Sequence, residues 1–156
     1  MRQYLNGEFF ENTFTAAEKA RIATTQVKND DNQWQGTAGG NDTTDKVFLL
    51  SLEEVVKYFG DSGELANWPG FVWVMADQYD SVRVACTQSG RVSWWWLRSP
   101  GYFSSWAVRV LGDGRVHVGG RGVDRDDDDV VVYNDITYNL SAGGGVRPAL
   151  WLNLEP

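Results

Sequence analysis

Hydrophobic residues near the amino terminus recur at the spacing of an α-helix, and a polar capping signal follows them. The apolar positions that carry this pattern are Tyr4, Leu5, Phe9 and Phe10. Thr15 and Glu18 stand three residues apart, which is the spacing of a capping box at the start of a helix. We therefore predict two helices within residues 2–24, the first ending near Thr13 and the second near Ala23.

A polar stretch and then a strongly apolar one follow. Residues 28–44 are polar and glycine-rich, which predicts a loop, and Trp34 within it is expected to fold back on the core. The run VFLLS that comes next is typical of a buried strand. Ser51 and Glu54 form a second capping box, so a helix is expected to begin there and to stop at Gly60.

Short apolar runs replace the helical pattern in the second half of the chain. They are separated by residues that favour turns, as in strands joined by short loops. The predicted strands lie near residues 71–75, 92–97, 106–111, 115–118, 130–133 and 146–152. Helices followed by strands predict a single α+β domain over residues 1–156, with N-terminal helices and a mostly antiparallel sheet.

The segment 112–114, Gly-Asp-Gly, specifies one β-hairpin in more detail. A three-residue loop with Gly114 in the left-handed conformation pairs Arg109 with His117. A shift of one residue would mix polar and apolar side chains on both faces, so the alternation favours this register over a two-residue turn. The apolar face then holds Trp106, Val108, Val110, Val116 and Val118. The polar face holds Arg109, Arg115 and His117.

The candidate core gathers apolar side chains from the strands and from the closing segment of the chain. We expect these residues to be buried together: Trp95, Trp96, Leu97, Val108, Val110, Val116, Val118, Val146 and Trp151. Cys86, the one cysteine, lies in the apolar run 82–86 and is expected to be a small buried hydrophobe. Arg98 and Arg147 stand between apolar residues, which indicates structural guanidinium groups bonded to backbone carbonyls or to a carboxylate.

The net charge of the chain argues against one class of binding partner, nucleic acids. The formal net charge is −7, which repels phosphate backbones, and the Lys and Arg residues form no cluster; we therefore expect no nucleic acid partner. The apolar runs are too short to span a membrane, so no membrane insertion is expected. The opening residues, MRQYLNGEFF, do not have the pattern of a signal peptide.

A search for catalytic motifs favours a protein that is not an enzyme. His117 is the one histidine and Cys86 the one cysteine, so nucleophilic triads and zinc sites lack their usual residues. No phosphate-binding loop pattern is present, and we expect no cofactor. Asp126–Asp129 permit two interpretations, a Ca²⁺ site or a solvated loop. The EF-hand pattern is missing, so the solvated loop is favoured and no metal site is expected.

Two motifs carry a resemblance to a known family. They are WWLRSPG (95–101) and GVRPALWL (145–152), and they resemble motifs of a bacterial and phage family of uncharacterised domains. Two stretches earlier in the chain resemble the same family: RQYLNGEFFENTFTAAEKARI and DKVFLLSLEEV. That family resembles the C-type-lectin-like fold and its formylglycine-generating-enzyme branch. Several members resemble variable proteins of diversity-generating retroelements, in which adenine-directed mutagenesis diversifies a ligand-binding surface.

The resemblance implies a ligand-binding function and a place for the binding site. The variable region would span about residues 102–128, between the two motifs. Its ligand-binding residues would be Tyr102, Phe103, Ser104, Ser105, Arg109, Arg115, His117, Gly119, Arg121 and Asp124. Most are residue types that an AAC codon reaches by changes at its adenines. Trp106 is not, and is assigned to the scaffold.

The identity of the partner stays open at this level. The resemblance implies an unknown protein or surface ligand, with the chain at a cell surface or in a virion as part of a longer protein. One alternative is an enzyme of the formylglycine-generating-enzyme-like branch, although its paired-cysteine chemistry is not carried over to a chain with one cysteine. Another is a structural module of a larger surface or virion protein. The EPN and QPD motifs of calcium-dependent sugar-binding lectins are absent.

Overall fold

The computed structural model describes residues 1–60, 73–122, 131–133, 136–138 and 144–154. Within them the chain is an α+β protein with short helices and mostly antiparallel sheets, as the sequence predicts. No helix in these ranges is long and apolar enough to cross a membrane. Asp124 and the acidic run Asp126–Asp129 lie outside the described residues.

The first 21 residues form the predicted helical segments. Helices α1 (Arg2–Tyr4) and α2 (Phe10–Thr13) are joined by a π-helical stretch, Leu5–Phe9. Helix α3 (Ala16–Arg21) begins at the predicted capping box, in which the Glu18 amide donates to Thr15 Oγ1 at 3.3 Å. These helices bury one apolar stripe against the strand region around Val47. The small cluster there consists of Leu5, Phe10, Ile22 and Val47.

Two further helices and two peripheral strand pairs frame the main sheet. Helix α4 (Leu52–Tyr58) starts at the second predicted capping box, and helix α5 (Asp80–Arg83) was not anticipated. Strands β1 (Thr25–Val27) and β2 (Thr43–Asp45) pair antiparallel at either end of the predicted loop. Strand β3 (Phe48–Leu49) receives β13 (Pro148–Ala149), also antiparallel, which ties the closing motif to the middle of the chain.

The largest sheet among the described residues has five strands. Its order is β12 (Gly145–Val146), β7 (Trp95–Pro100), β8 (Trp106–Val110), β9 (Val116–Gly122) and β4 (Val74–Met75). Strand β12 runs parallel to β7, and each of the other neighbouring pairs is antiparallel. Two short hairpins accompany it: β5 (Ala85–Cys86) with β6 (Val92–Ser93), and β10 (Val131–Tyr133) with β11 (Ile136–Tyr138).

The predicted hairpin register is confirmed. Arg109 pairs with His117 and Val110 with Val116, and Gly114 has φ of 88°. A Cβ at Gly114 would lie 1.7 Å from the backbone oxygen of Asp80, so packing as well as conformation requires glycine there.

The core lies on one face of the sheet, under α4. It contains six of the predicted residues, all at most 1% exposed: Trp95, Leu97, Val108, Val110, Val116 and Val118. Trp34 packs against this cluster from its loop, as predicted.

Four other burial predictions are wrong or only partly right. Trp96 is half-buried because it alternates with Trp95 and Leu97 and so faces the other side of the sheet. Val146 is half-buried as well. Trp151 is 47% exposed and contacts Tyr58 edge-on. Cys86 is exposed, since it ends a two-residue edge strand and not a core strand.

Candidate functional site

The candidate site lies on the sheet face that points away from the core. One row of residues crosses the sheet there, defined by the pairings of Val146 with Trp96, Trp96 with Arg109, Arg109 with His117, and His117 with Val74. Because side chains alternate along strands, this row faces opposite to the buried row of Trp95, Val110 and Val116. The register therefore brings an indole, a guanidinium and an imidazole into one line.

The loop from β7 to β8, residues 101–105, borders this face and is held by backbone hydrogen bonds. The Gly101 amide donates to the Trp106 oxygen at 2.7 Å, and the Tyr102 amide donates to the Gly119 oxygen at 2.7 Å. The Trp106 amide closes the turn by donating to the Phe103 oxygen at 2.9 Å. The loop side chains are exposed, Phe103 by 52%. The fold of this loop thus depends little on which side chains it carries.

A buried asparagine clamps the start of the loop to the sheet. Asn32 is 1% exposed, and its Nδ2 donates to the oxygens of Pro100 at 2.8 Å and Val118 at 3.0 Å. Its Oδ1 accepts from the amides of Trp34 and Gln35. One side chain therefore satisfies four backbone groups.

Five rings form a contiguous aromatic cluster beside the loop: Trp73, Tyr102, Phe103, Trp106 and His117. Trp73 lies 5.4 Å from Tyr102 and 6.2 Å from His117, centroid to centroid. Tyr102 contacts Phe103 at 4.7 Å, and Phe103 contacts Trp106 at 5.1 Å, both edge to face. Trp73 is 37% exposed, Tyr102 40% and Phe103 52%. This cluster offers solvent-facing aromatic area of the kind that anchors binding surfaces.

Arg109 is the main correction to the predicted exposed face. It is 1% exposed, and its Nε and Nη1 have no hydrogen-bond partner among the described residues. Its guanidinium lies 5.3 Å from the centre of the Trp94 ring. Burial, and then the charge of Arg121, lowers the pKa of Arg109 to about 10. The alternation of side chains along the strand correctly predicted which face of the sheet Arg109 is on. It could not predict that Arg109 is buried there.

His117 is half-buried beside Arg109 and is a neutral imidazole near pH 7. Desolvation first, then the charges of Arg109 and Arg121, lowers the pKa of His117 to about 4. Its Nδ1 is buried and finds no hydrogen-bond partner in the part of the chain that the structure describes. A neutral ring of this kind contributes area and one N–H, and it is not a cation at physiological pH.

The remaining predicted site residues differ in how exposed they are. Ser104 and Ser105 are exposed at the loop tip, and Arg121 is half-buried near Arg109. Arg115 lies at the hairpin turn, where its Nε donates to Asp113 at 2.6 Å. Gly119 is buried, and both of its backbone polar groups are bonded, to Tyr102 and Trp73.

Sequence reasoning missed Trp73 and Trp94 as members of this face. Trp94 could have been found, because it alternates with Trp95 in the same run as Trp96. Trp73 reaches the face only through the pairing of β4 with β9, a long-range contact that no local pattern announces. Among the described residues, no group of three His, Cys, Asp or Glu side chains is arranged to hold a metal ion.

The two framework arginines differ from each other. Arg98 is structural as predicted: it donates to the oxygens of Leu49 at 2.7 Å and Lys28 at 2.9 Å and forms an ion pair with Glu54. Arg147 does not follow the prediction. Its guanidinium carbon lies over the rings of Phe59 at 4.5 Å and Trp95 at 5.3 Å. Its Nη1 is buried, and no described residue accepts a hydrogen bond from it.

The chain is thus an α+β domain in which a loop, residues 101–105, is held by backbone hydrogen bonds and lies beside the cluster of five aromatic rings. The chain belongs to the family described as a domain of unknown function, DUF6273, whose family model matches residues 1–154. No curated protein matches the chain, and no solved structure matches it.

Proposed function

We propose that this chain is a ligand-binding module of the C-type-lectin-like fold, and that residues about 102–128 form its diversified surface. In this proposal it is the variable protein of a diversity-generating retroelement, and its ligand is a protein or another molecule presented on a surface. The observation that carries the proposal is the loop of residues 101–105, whose backbone bonds fix it while its side chains stay exposed.

The chemistry of the face supports recognition. Tyr102 and Phe103 supply rigid amphipathic or apolar area at low entropic cost, and Ser104 and Ser105 supply adaptable hydrogen bonding. The same combination of Tyr, Ser and a few charged residues is enriched in antibody binding loops. Trp73 and Trp106 back the loop and would keep its rings in place as the ligand binds.

The burial pattern supports a narrower choice of diversified positions within this proposal. Exposed side chains on a backbone-held loop can change without disturbing the core, whereas core changes of even one methylene are felt. Positions 102–105 meet this requirement, and Arg109 and Gly119 do not, because both are buried. We therefore place the variable surface at the loop and at the half-buried end of β9, Arg121 and Gly122, with Arg109 behind it.

Sequencing the coding region in many clonal isolates tests the proposal. Amino-acid differences should concentrate in the codons for residues 102–105 and stay absent from the codons for 94–98 and 145–152. A near-copy of this segment beside a reverse transcriptase gene, differing from it at adenines, is the expected genomic context. Differences spread evenly over the chain, or no such copy, would contradict the retroelement proposal.

A second experiment tests the loop as a separable binding surface. Replacing Tyr102, Phe103, Ser104 and Ser105 together by Ser or Ala should leave the melting temperature within a few degrees, because these side chains are exposed. Leu97→Ala is the matched core control and should cost about 2–5 kcal/mol. Unfolding of the loop variant would show that the loop is framework.

A further inference from the structure

The polar segment between strands β1 and β2 is held together by its own side chains. The Asn29 amide donates to Asp42 Oδ1 at 3.1 Å, and the Gly39 amide donates to Asp31 Oδ1 at 3.0 Å. Side chains of Asn and Asp therefore continue the β1–β2 hairpin beyond its last backbone pair. We call residues 28–42 the arm. It is a hydrogen-bonded projection of the hairpin, although its composition is that of an open loop.

The tip of the arm, the four residues between Asn32 and Thr37, lies beside the loop of residues 101–105. The Asn32 amide donates to the Thr37 oxygen at 2.9 Å, and the Gly36 amide donates to the Asn32 oxygen at 2.7 Å, which closes the tip. Thr37 Oγ1 then donates to the Tyr102 oxygen at 3.0 Å. The Asn32 side chain clamps the start of the same loop. These contacts fix the arm tip next to the loop that the proposed function diversifies.

Two side chains near the tip are exposed and take no part in holding the arm. Gln33 and Ala38 are exposed, whereas Trp34 between them is half-buried and packs against the core. The hydrogen bonds described for the arm come from its backbone and from its Asn, Asp and Thr side chains. A surface that is already held in place loses little conformational entropy when it binds a partner. The tip therefore has the properties of a preorganised contact surface.

A protein partner needs more surface than the diversified loop provides. A standard protein interface takes about 20–30 residues from each side, and residues 102–105 are four exposed positions. The aromatic cluster and the end of β9 add to them, and the arm tip is bonded directly to the backbone of Tyr102. A folded protein that covers the loop would therefore rest on the arm tip as well.

The charge of the arm specifies the kind of protein surface that fits. The arm contains three Asp and one Lys. Asp30 and Asp31 are exposed and line a small depression together with Gln33 and Glu53, and none of the described residues that line it is basic. Opposite charges across an interface steer association, and like charges are penalised. A partner surface that faces the arm should therefore carry Lys or Arg side chains.

We propose that the arm is a constant part of the binding surface and that it directs the diversified loop towards basic surfaces of folded proteins. This inference rests on the proposed function, because it needs residues 102–105 to bind a partner. The arm lies outside the region proposed to vary, so its position and its charge are the same whatever side chains the loop carries. Every variant of the loop then inherits the same preference.

The test is a display library of the full chain, randomised at residues 102–105 and selected against lysozyme, a basic protein. In the selected binders, Gln33→Arg with Ala38→Arg should weaken binding to lysozyme about tenfold or more, through added bulk and charge repulsion. Gln3→Arg with Ala20→Arg is the matched control, with the same changes at exposed positions of the N-terminal helices, and should leave binding unchanged. Melting temperatures of both double variants should stay at that of the parent binder.

A single substitution tests the charge without added bulk, and it decides the question if the double variant of the arm does not fold. Glu53→Gln should weaken binding to lysozyme about two- to fivefold at low salt and have no effect at high salt. Glu8→Gln, at an exposed glutamate of the N-terminal helical segment, is its control. A library without binders would overturn the proposed function and this inference with it. Binders that tolerate the arm variants as well as the controls would overturn this inference alone.

Discussion

Arg109 and His117 are direct partners across strands β8 and β9, and their basic groups lie on the same side of the sheet. The charge of Arg109 is one cause of the low pKa of His117, after desolvation. The pKa of Arg109 falls to about 10 and that of His117 to about 4, in both cases mainly because burial penalises the charged form. The pair therefore consists of a guanidinium that stays charged near pH 7 and an imidazole that does not.

Arg109→Met should raise the stability of the free protein. The guanidinium is 1% exposed, and its Nε and Nη1 have no acceptor within the described ranges. A thioether of similar length therefore removes a desolvation cost and keeps the packing on Trp94. We expect a gain of about 1–3 kcal/mol in the free energy of unfolding, measured by chemical denaturation. Arg91→Met, at an exposed arginine, is the control and should change stability little. A clear loss in Arg109→Met would contradict this account of the residue.

His117 should make the protein less stable in mild acid. Its pKa in the folded chain is about 4, below the ordinary value of 6.5, so the unfolded chain binds the proton first as the pH falls. The free energy of unfolding should therefore decrease from about pH 6.5 to pH 4, by about 2–3 kcal/mol from this group. Denaturation of wild type and His117→Gln at pH 7.0 and 5.0 checks this. Equal losses in the two proteins would rule out His117 as the source.

Asn32 should be essential to the loop that it clamps. Asn32→Ala leaves the oxygens of Pro100 and Val118 and two amides without their partner. The expected cost is about 2–4 kcal/mol. Hydrogen exchange should speed up at the Tyr102 amide, which is next to the released segment. Asn153→Ala, at an exposed asparagine, is the matched control, and a similar change in both variants would show that the clamp adds nothing.

Arg98 should be far more sensitive to substitution than an exposed arginine. It donates to two backbone oxygens and pairs with Glu54, which also caps helix α4. Arg98→Ala should lower the free energy of unfolding by about 1–3 kcal/mol, since the part-buried oxygens of Leu49 and Glu54 lose their donor. Glu54→Gln should reproduce part of that loss, and a double variant should lose less than the sum because the two residues interact. Strict additivity would argue against the pair.

The sequence predicts those features whose cause is local. Both capping boxes form because four consecutive residues contain the whole signal. The β8–β9 register next to the turn follows from Gly114 and from side-chain alternation, whereas the register shift between Ala107 and Arg109 was not predicted. The prediction that Cys86 is buried was wrong. Residues 82–86 contain the end of a helical turn and a short edge strand, and together these have the same apolar pattern as a buried strand.

The candidate site was predictable only in part, because much of it depends on contacts between residues distant in sequence. Alternation places Arg109 and His117 on one face, but their burial depends on residues distant in sequence. Trp73 joins the face through a pairing of strands more than 40 residues apart along the chain. Asn32 lies in a polar loop in which no residue stands out by composition, and only the folded chain shows that it is buried.

The glycines behind the loop limit how many different surfaces this scaffold could present. A Cβ at Gly119 would lie 2.0 Å from the Trp73 ring, and one at Gly120 would lie 2.4 Å from the Ala107 oxygen. A side chain at Gly119 would displace the Trp73 ring, and one at Gly120 would push strand β9 away from Ala107 and from Gly101 at the start of the loop. In a library of variants of this domain, clones that change either glycine would therefore not fold. The number of folded variants then depends only on the codons for the neighbouring exposed residues. Randomisation restricted to residues 102–105 should give a far higher fraction of folded clones than randomisation that includes 119 and 120.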